Sequence, residues 1–147
     1  MDTYSKNVEV RWSDLDPNFH LRHSVYYDWG AYTRLSFMQD KGITAGSLVQ
    51  LHLGPILFRE ECVFKREITF GDKVTIFVQL TKSRVDGSRW SMRHEIFKND
   101  DTLAAVINVD GAWIDTFKRK LAIPPEHIRL SFEDLPRSAD FQWEEPK

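Results

Sequence analysis

Between Asp14 and His23 the chain places two carboxylates, an amide and two imidazoles in one short run, Asp14-Leu15-Asp16-Pro17-Asn18-Phe19-His20-Leu21-Arg22-His23. Such a run suits a tight connection, in which Asp and Asn side chains satisfy turn and helix-start amides. It equally suits a loop that presents reactive groups from a rigid scaffold. Three chemistries compete for it. A calcium loop would take Asp14, Asp16 and Asn18 as its first, third and fifth ligands, but Phe19 stands where glycine is needed and Val25 where a bidentate glutamate is needed. A transition-metal site could draw on His20 and His23 with one Asp, yet no cysteine joins them. His94-Glu95 also lacks the second histidine of a zincin helix, because Lys98 holds that place. The third chemistry is carboxylate catalysis. An aspartate just ahead of a helix can attack an acyl carbonyl or activate water, while the first free amides of that helix hold the oxyanion that forms. A thioester carbonyl fits such a site.

The elements that would position this run follow from hydrophobic periodicity. Residues 6–12 alternate as a short strand, with Val8, Val10 and Trp12 on one face. From Ser24 or Val25 to about Lys41, Val25, Tyr26, Trp29, Thr33 and Phe37 recur at three- and four-residue steps, with Gly42 as a stop. Gly30 and Ala31 in the middle of this helix would let another backbone approach closely. After a loop that includes Pro55, four segments with a two-residue period follow. Phe58, Cys62, Phe64, Ile68 and Phe70 share a face in the first, interrupted by Glu60 and Arg66. Val74, Ile76, Val78 and Leu80 share one in the second, and Trp90, Met92 and Ile96, with His94 between them, in the third. The fourth, about Leu103 to Asp115, is apolar on both sides.

Gly71-Asp72, Asp86-Gly87 and Asn99-Asp100-Asp101 separate these segments with turn chemistry, so an antiparallel meander is expected. One long helix and one long sheet predict an α+β fold in which the sheet wraps around the helix. Pro124-Pro125 opens a tail with one helical turn near Glu126 to Ile128, polar beyond Ser131.

At 147 residues, 41% of them apolar, the chain suffices for one core and is short for two ordinary domains, so it reads as one domain with a core of about 6–128 and a tail of about 129–147. A net charge of −2 supplies no field that would draw nucleic acid or an anionic membrane surface. The first thirty residues lack a basic segment followed by an apolar core, and about eighteen apolar residues never run together, which points to the cytosol. Cys62 is the one cysteine and reads as a buried, inert thiol.

The stretch VRWSDLDPNFHLRHSVYYDWGAYTRLSFM resembles the opening of the 4-hydroxybenzoyl-CoA thioesterase family of hotdog proteins, and DLDPNFHLRHSVY also resembles plant acyl-ACP thioesterases. The family pattern is aspartate, any residue, aspartate, then His-Val-Asn-Asn and a tyrosine, and Asp14, Asp16, Asn18, His20 and Tyr26 match it. GPILFREECVFKREITFGDKVTIFVQL looks like the family's central strands and IPPEHI like its end, so the resemblance covers roughly residues 6–128. It implies a hotdog fold, an antiparallel sheet wrapped around one long central helix, and an enzyme that hydrolyses an acyl-CoA thioester without metal or cofactor.

By the same resemblance Asp16 is the catalytic carboxylate, with His20 and Asn18 orienting the loop or the substrate. The oxyanion and substrate contacts fall at His23, Ser24, Val25 and Tyr26, and the subunits form a homodimer or a dimer of dimers. Arg22-His23 replaces the family's Asn-Asn, and Ala31 replaces a helix glutamate common among its members. Lys82, Arg84 and Arg89, flanking a hairpin, are candidates for CoA phosphates. Two alternatives stand beside hydrolysis: an enoyl- or hydroxyacyl-thioester hydratase or dehydratase, and a non-catalytic acyl-CoA or lipid-binding protein.

Overall fold

The helix announced by the three- and four-residue spacing is α1, His23–Asp40, in a computed structural model that describes residues 2–145. Its buried face carries Val25, Tyr26, Trp29, Thr33 and Phe37, joined by Gly30 and Met38. The stop is a Schellman closure. The Gly42 amide donates to Gln39 O (3.0 Å) and the Ile43 amide to Met38 O (2.9 Å), with Gly42 at φ +77°.

Seven strands form one sheet: β1 (Ser5–Val8), β2 (Leu53–Phe64), β3 (Val74–Arg84), β4 (Arg89–Lys98), β5 (Thr102–Asp115), β6 (Lys120–Leu121) and β7 (Arg137–Glu144). The order is β1-β3-β4-β5-β2, with β6 on β5 and β7 on β3; only β7 runs parallel to its partner. The alternating positions expected to be apolar are buried as one face: Val74, Ile76, Val78 and Leu80, then Trp90, Met92, His94 and Ile96, then Ile107 and Val109. The sheet curls around α1, as expected of one helix and one long sheet.

The four-strand meander holds only for β3, β4 and β5. β2 sits at the far edge beside β5, because residues 65–73 carry the chain across the end of the sheet. Along that path the Lys65 and Arg66 amides both donate to Ala104 O. The Gly71-Asp72 turn therefore ends a crossover and closes no hairpin. Pro55 lies within β2 and not in a loop, tolerated on an edge strand whose outer side needs no donor. A bulge between Leu57 and Arg59 ejects Phe58 from the two-residue period. Phe58 thus parts from Cys62 and Phe64, while Ile68 and Phe70 fall in the crossover. Trp12 leaves the face of Val8 and Val10, because β1 ends at Val8 and Trp12 opens a 3-10 turn, Trp12–Asp14, where it is 81% exposed.

Two short helices complete the chain: α2 (Ala45–Leu51), capped by Thr44, and α3 (Glu126–Glu133). The tail is more ordered than its polar composition suggests. α3 drives Phe132 against Trp113 (5.2 Å between ring centroids), Trp90 (5.7 Å) and Phe37 (6.4 Å), plugging one end of the core. β7 then covers an edge of β3. Among the described residues no helix is long and apolar enough to cross a membrane.

Candidate active site

The loop ahead of α1 is built by its own polar residues. Asp14 is buried at 1% exposure; its carboxylate accepts from the Arg11 amide (2.9 Å) and from Arg11 Nη2 (2.9 Å), and its carbonyl accepts from the Arg22 amide (2.7 Å). The hydrogen bonds from the Arg11 guanidinium hold this carboxyl below the usual carboxylate range. Asp14 is a clamp that joins the two arms of the loop. Leu15 and Leu21 pair as a bridge, and between them Asp16-Pro17-Asn18-Phe19 turns. The Phe19 amide donates to Asp16 O (2.9 Å), the Asp16 amide to His20 O (2.8 Å), and Phe19 sits at φ +66°.

Asp16 shapes this turn and faces solvent at once. Its Oδ1 accepts from the amides of Asn18 (2.8 Å) and His20 (3.1 Å), which fixes the carboxylate plane. Among the described residues Oδ2 has no partner. The residue borders an open cleft of about 670 Å³ walled by Trp12, Leu15, Phe19, His20, Thr69 and Phe70. A carboxylate with one oxygen pinned and the other free is prepared to attack a carbonyl or to take a proton from water. The crossover backs the loop: His20 bridges to Thr69, the Leu21 amide donates to Ile68 O (2.7 Å), and His20 Nε2 lies 2.7 Å from Glu67 Oε2. Glu67 carried no sequence signal, since its partner lies far along the chain.

At the start of α1, Arg22 puts no side-chain oxygen over the first turn. Its guanidinium instead reaches back to Ser13 O (3.2 Å) and Ser24 Oγ (3.1 Å). Among the described residues the amides of His23 and Ser24 meet no acceptor, whereas the Val25 amide is used by Arg22 O (3.0 Å). Of the expected donors His23, Ser24 and Val25, the first two are open and the third is occupied. Tyr26 is buried, edge-on to Phe64 at 4.9 Å; burial, reinforced by Cys62, Asp16 and Glu67 nearby, pushes its phenol up to about 12. Burial also pushes the Cys62 thiol up to about 11, away from thiolate chemistry.

A second polar group lies further along α1, inside the molecule. His94 is fully buried on β4. Its Nε2 is 3.2 Å from Arg34 Nη1 and its Nδ1 is 3.3 Å from Ile107 O. A guanidinium only donates, so Nε2 accepts and Nδ1 carries the proton towards Ile107 O. Burial, then Arg34, pushes this imidazole down to about 3. Glu60 Oε2 stands 3.7 Å from Arg34 Nη2. Gly30 makes room for this cluster: a Cβ there would come within 3.3 Å of Arg34 Nη1 and 3.4 Å of Ile107 Cδ1. The small residue thus admits side chains rather than the backbone expected. The signal for the cluster was the interruption of apolar faces by His94 and Glu60.

Lys82, Arg84 and Arg89 stand at the β3–β4 hairpin. Asp16 lies near the opposite end of β3, roughly 30 Å away for a strand of this length. Within one chain the structure does not bring them to Asp16. Lys82 is exposed, Arg89 covers the ring of Phe58 at 5.1 Å, and Arg84 and Arg89 each bury an Nε that meets no acceptor. Among the described residues no three His, Cys, Asp or Glu side chains gather as a metal site.

A curled antiparallel sheet closed around one long helix is the hotdog fold. Residues 10–132 match the family model described as the thioesterase-like superfamily; the chain belongs to that family and is a thioester hydrolase. No curated protein matches its sequence. Similar solved structures include a Staphylococcus aureus protein in complex with CoA, at TM-score 0.82 and 19% identity over 94% of this chain and 89% of that one. A 1,4-dihydroxy-2-naphthoyl-CoA thioesterase from Synechocystis has TM-score 0.80 and 16% identity over 90% and 97%. A DHNA-CoA thioesterase from Staphylococcus aureus has TM-score 0.74 and 20% identity over 84% and 81%.

Proposed function

We propose that the chain hydrolyses an acyl-CoA thioester to the free acid and CoA, with Asp16 as nucleophile or general base. The observation that carries this is the geometry of Asp16, one oxygen pinned and the other open to the cleft, in the loop that leads into the uncapped start of α1. The amides of His23 and Ser24 receive the thioester oxygen as it gains negative charge. In one route Oδ2 attacks the carbonyl carbon, the C–S bond breaks, and CoA leaves as the thiolate; water then hydrolyses the mixed anhydride. In the other, Asp16 takes a proton from the attacking water. Both routes yield one acid and one CoA-SH, with no metal or cofactor. Asn18 and His20 set the loop, and Tyr26 packs in the core against Phe64 and Trp29.

The proposed assembly is a homodimer through β2. The outer edge of β2 is unpaired among the described residues and exposes Leu57, Phe58, Val63 and Phe64, an edge that invites a second chain. A twofold antiparallel pairing would set the Leu53 end of one β2 against the Phe64 end of the other. The Asp16 loop of one protomer then lies towards the basic hairpin end of its partner. That arrangement brings Lys82, Arg84 and Arg89 within reach of CoA phosphates at a shared site.

The test is release of CoA-SH, read with a thiol reagent over a panel of acyl-CoAs. Asp16→Asn keeps an oxygen to accept the Asn18 and His20 amides and removes the charge, so a folded variant with kcat lowered about a thousandfold is expected. Full activity in that folded variant would exclude Asp16. Hydration of an enoyl-CoA without free thiol would show the hydratase alternative instead.

A further inference from the structure

The cleft that holds Asp16 carries three large rings that the proposed hydrolysis leaves without a task. Trp12 is 81% exposed, Phe19 75% and Phe70 66%, and all three border the cleft. Large aromatic side chains are ordinarily covered, so three left open around one cleft mark a surface kept for a ligand. Phe19 adds strain to exposure. Its φ of +66° lies in the left-handed region, where glycine or asparagine would sit at less cost.

What these rings would take follows from the charge around them. A ring face attracts a cation, and elsewhere in the chain such faces are already filled: Arg137 lies 4.9 Å from the ring centres of both Phe141 and Trp143, and Arg89 5.1 Å from that of Phe58. Among the described residues no Lys or Arg sits over Trp12, Phe19 or Phe70, and no other ring stacks on them. Arg11 and Arg22, which flank the loop, are engaged instead by Asp14 and by Ser13 O with Ser24 Oγ. Neither Lys nor Arg borders the cleft. Its imidazole, His20, is held by Glu67, while Oδ2 of its carboxylate, Asp16, has no partner among the described residues. The walls are thus aromatic, and the charge open to the cleft is negative.

We propose that this cleft recognises an alkylated ammonium group, of the trimethylammonium kind, carried on the acyl part of the thioester. Trp12, Phe19 and Phe70 supply ring faces, and Asp16 supplies the opposing charge. Aromatic walls are a common means of holding a quaternary ammonium, whose methyl groups leave water readily. In a trimethylammonioacetyl thioester one methylene separates the nitrogen from the carbonyl carbon, so the attraction that seats the cation also brings that carbon to Oδ2. The placing of the cation on the acyl group rests on the hydrolysis proposed above; the cation site itself does not.

Recognition is read first without turnover. Choline and 3,3-dimethylbutan-1-ol share a shape and differ in charge. In titrations of the full chain followed by the NMR signals of the ligand methyl groups, choline should bind about tenfold or more tighter. Trp12→Leu combined with Phe70→Leu, both at exposed positions, should remove most of that preference and change binding of the alcohol about twofold or less. Equal binding of the two probes by the wild-type chain would overturn the proposal. So would a preference that survives in a double variant that melts cooperatively, since Asp16 alone would then account for it. Turnover is read second. The kcat/KM for trimethylammonioacetyl-CoA, divided by its rate of uncatalysed hydrolysis, should exceed the same ratio for 3,3-dimethylbutanoyl-CoA about tenfold, and the double variant should level the two. Equal ratios in a chain that hydrolyses both esters would overturn the assignment to the acyl group. Ring-dependent binding of choline by a chain that frees CoA-SH from neither ester would uphold the cation site and count against the hydrolysis.

Discussion

The two ends of α1 use charge in opposite ways. At the N-terminal end Asp14, Asp16, Asn18 and His20 all come from one short run, and their hydrogen bonds are made mostly to the backbone of that run. Midway along, Arg34, His94 and Glu60 arrive from a helix and two strands and meet in the interior. The first arrangement leaves one carboxylate oxygen open to the cleft. The second holds a guanidinium against a neutral imidazole away from water, where each lost partner leaves an uncompensated group. One end is therefore expected to answer to mutation in rate, the other in stability.

The largest effect that would break this contrast is on rate. Asp16→Asn should lower kcat about a thousandfold while moving the stability by about 1 kcal/mol or less. Asp16→Ala should lose the same activity and a further 1–2 kcal/mol, roughly, because the turn loses its acceptor. Urea melts of the two variants, set beside their rates of CoA-SH release, separate the roles of Oδ1 and Oδ2.

Next in size is the interior. His94→Ala should destabilise the fold by about 3–4 kcal/mol, since it opens a cavity and strips Arg34 of an acceptor. A melt that shifts no further than that of Asp16→Asn would erase the distinction between the two ends.

Acid sharpens it. The folded imidazole of His94 sits near 3, below its ordinary 6.5, so between these values the unfolded chain binds the extra proton. Stability must then fall as pH drops from about 6.5 towards 3, with a slope approaching one proton. His94→Gln should flatten that slope. A slope unchanged in the variant would place the titration elsewhere. Asp14 and Asp140 add to the loss only at lower pH. Both carboxyls lie below their ordinary 3.8, Asp140 at about 2 chiefly through its hydrogen bonds from Arg93, so their contributions are present above 3.8 and fade beneath it.

The smallest effect belongs to the exposed hairpin. Lys82→Ala should raise KM for an acyl-CoA about twofold, and more at low salt than at high, if its ammonium meets a phosphate. A KM insensitive to both mutation and salt would remove Lys82 from the site.

Sequence by itself determined what depends on neighbours within a few residues. α1 and its buried face, the alternation of β3, β4 and β5, the Asp86-Gly87 hairpin and the Asp16 loop all follow from periods of 3.6 and 2 and from the turn chemistry of Asp, Asn and Gly. Tertiary structure decided the rest. The place of β2 beside β5 depends on where a crossover lands, and the bulge at Phe58 on the partner strand it must fit. Glu67 meets His20, and β7 meets β3, across more than forty residues of chain. The cluster of Arg34, His94 and Glu60 was legible only as polar residues out of place on apolar faces. Local pattern shows that such groups are turned inward, but which of them meet is settled by the curl of the sheet around α1, since burying a charge is tolerable only where distant segments supply its partners.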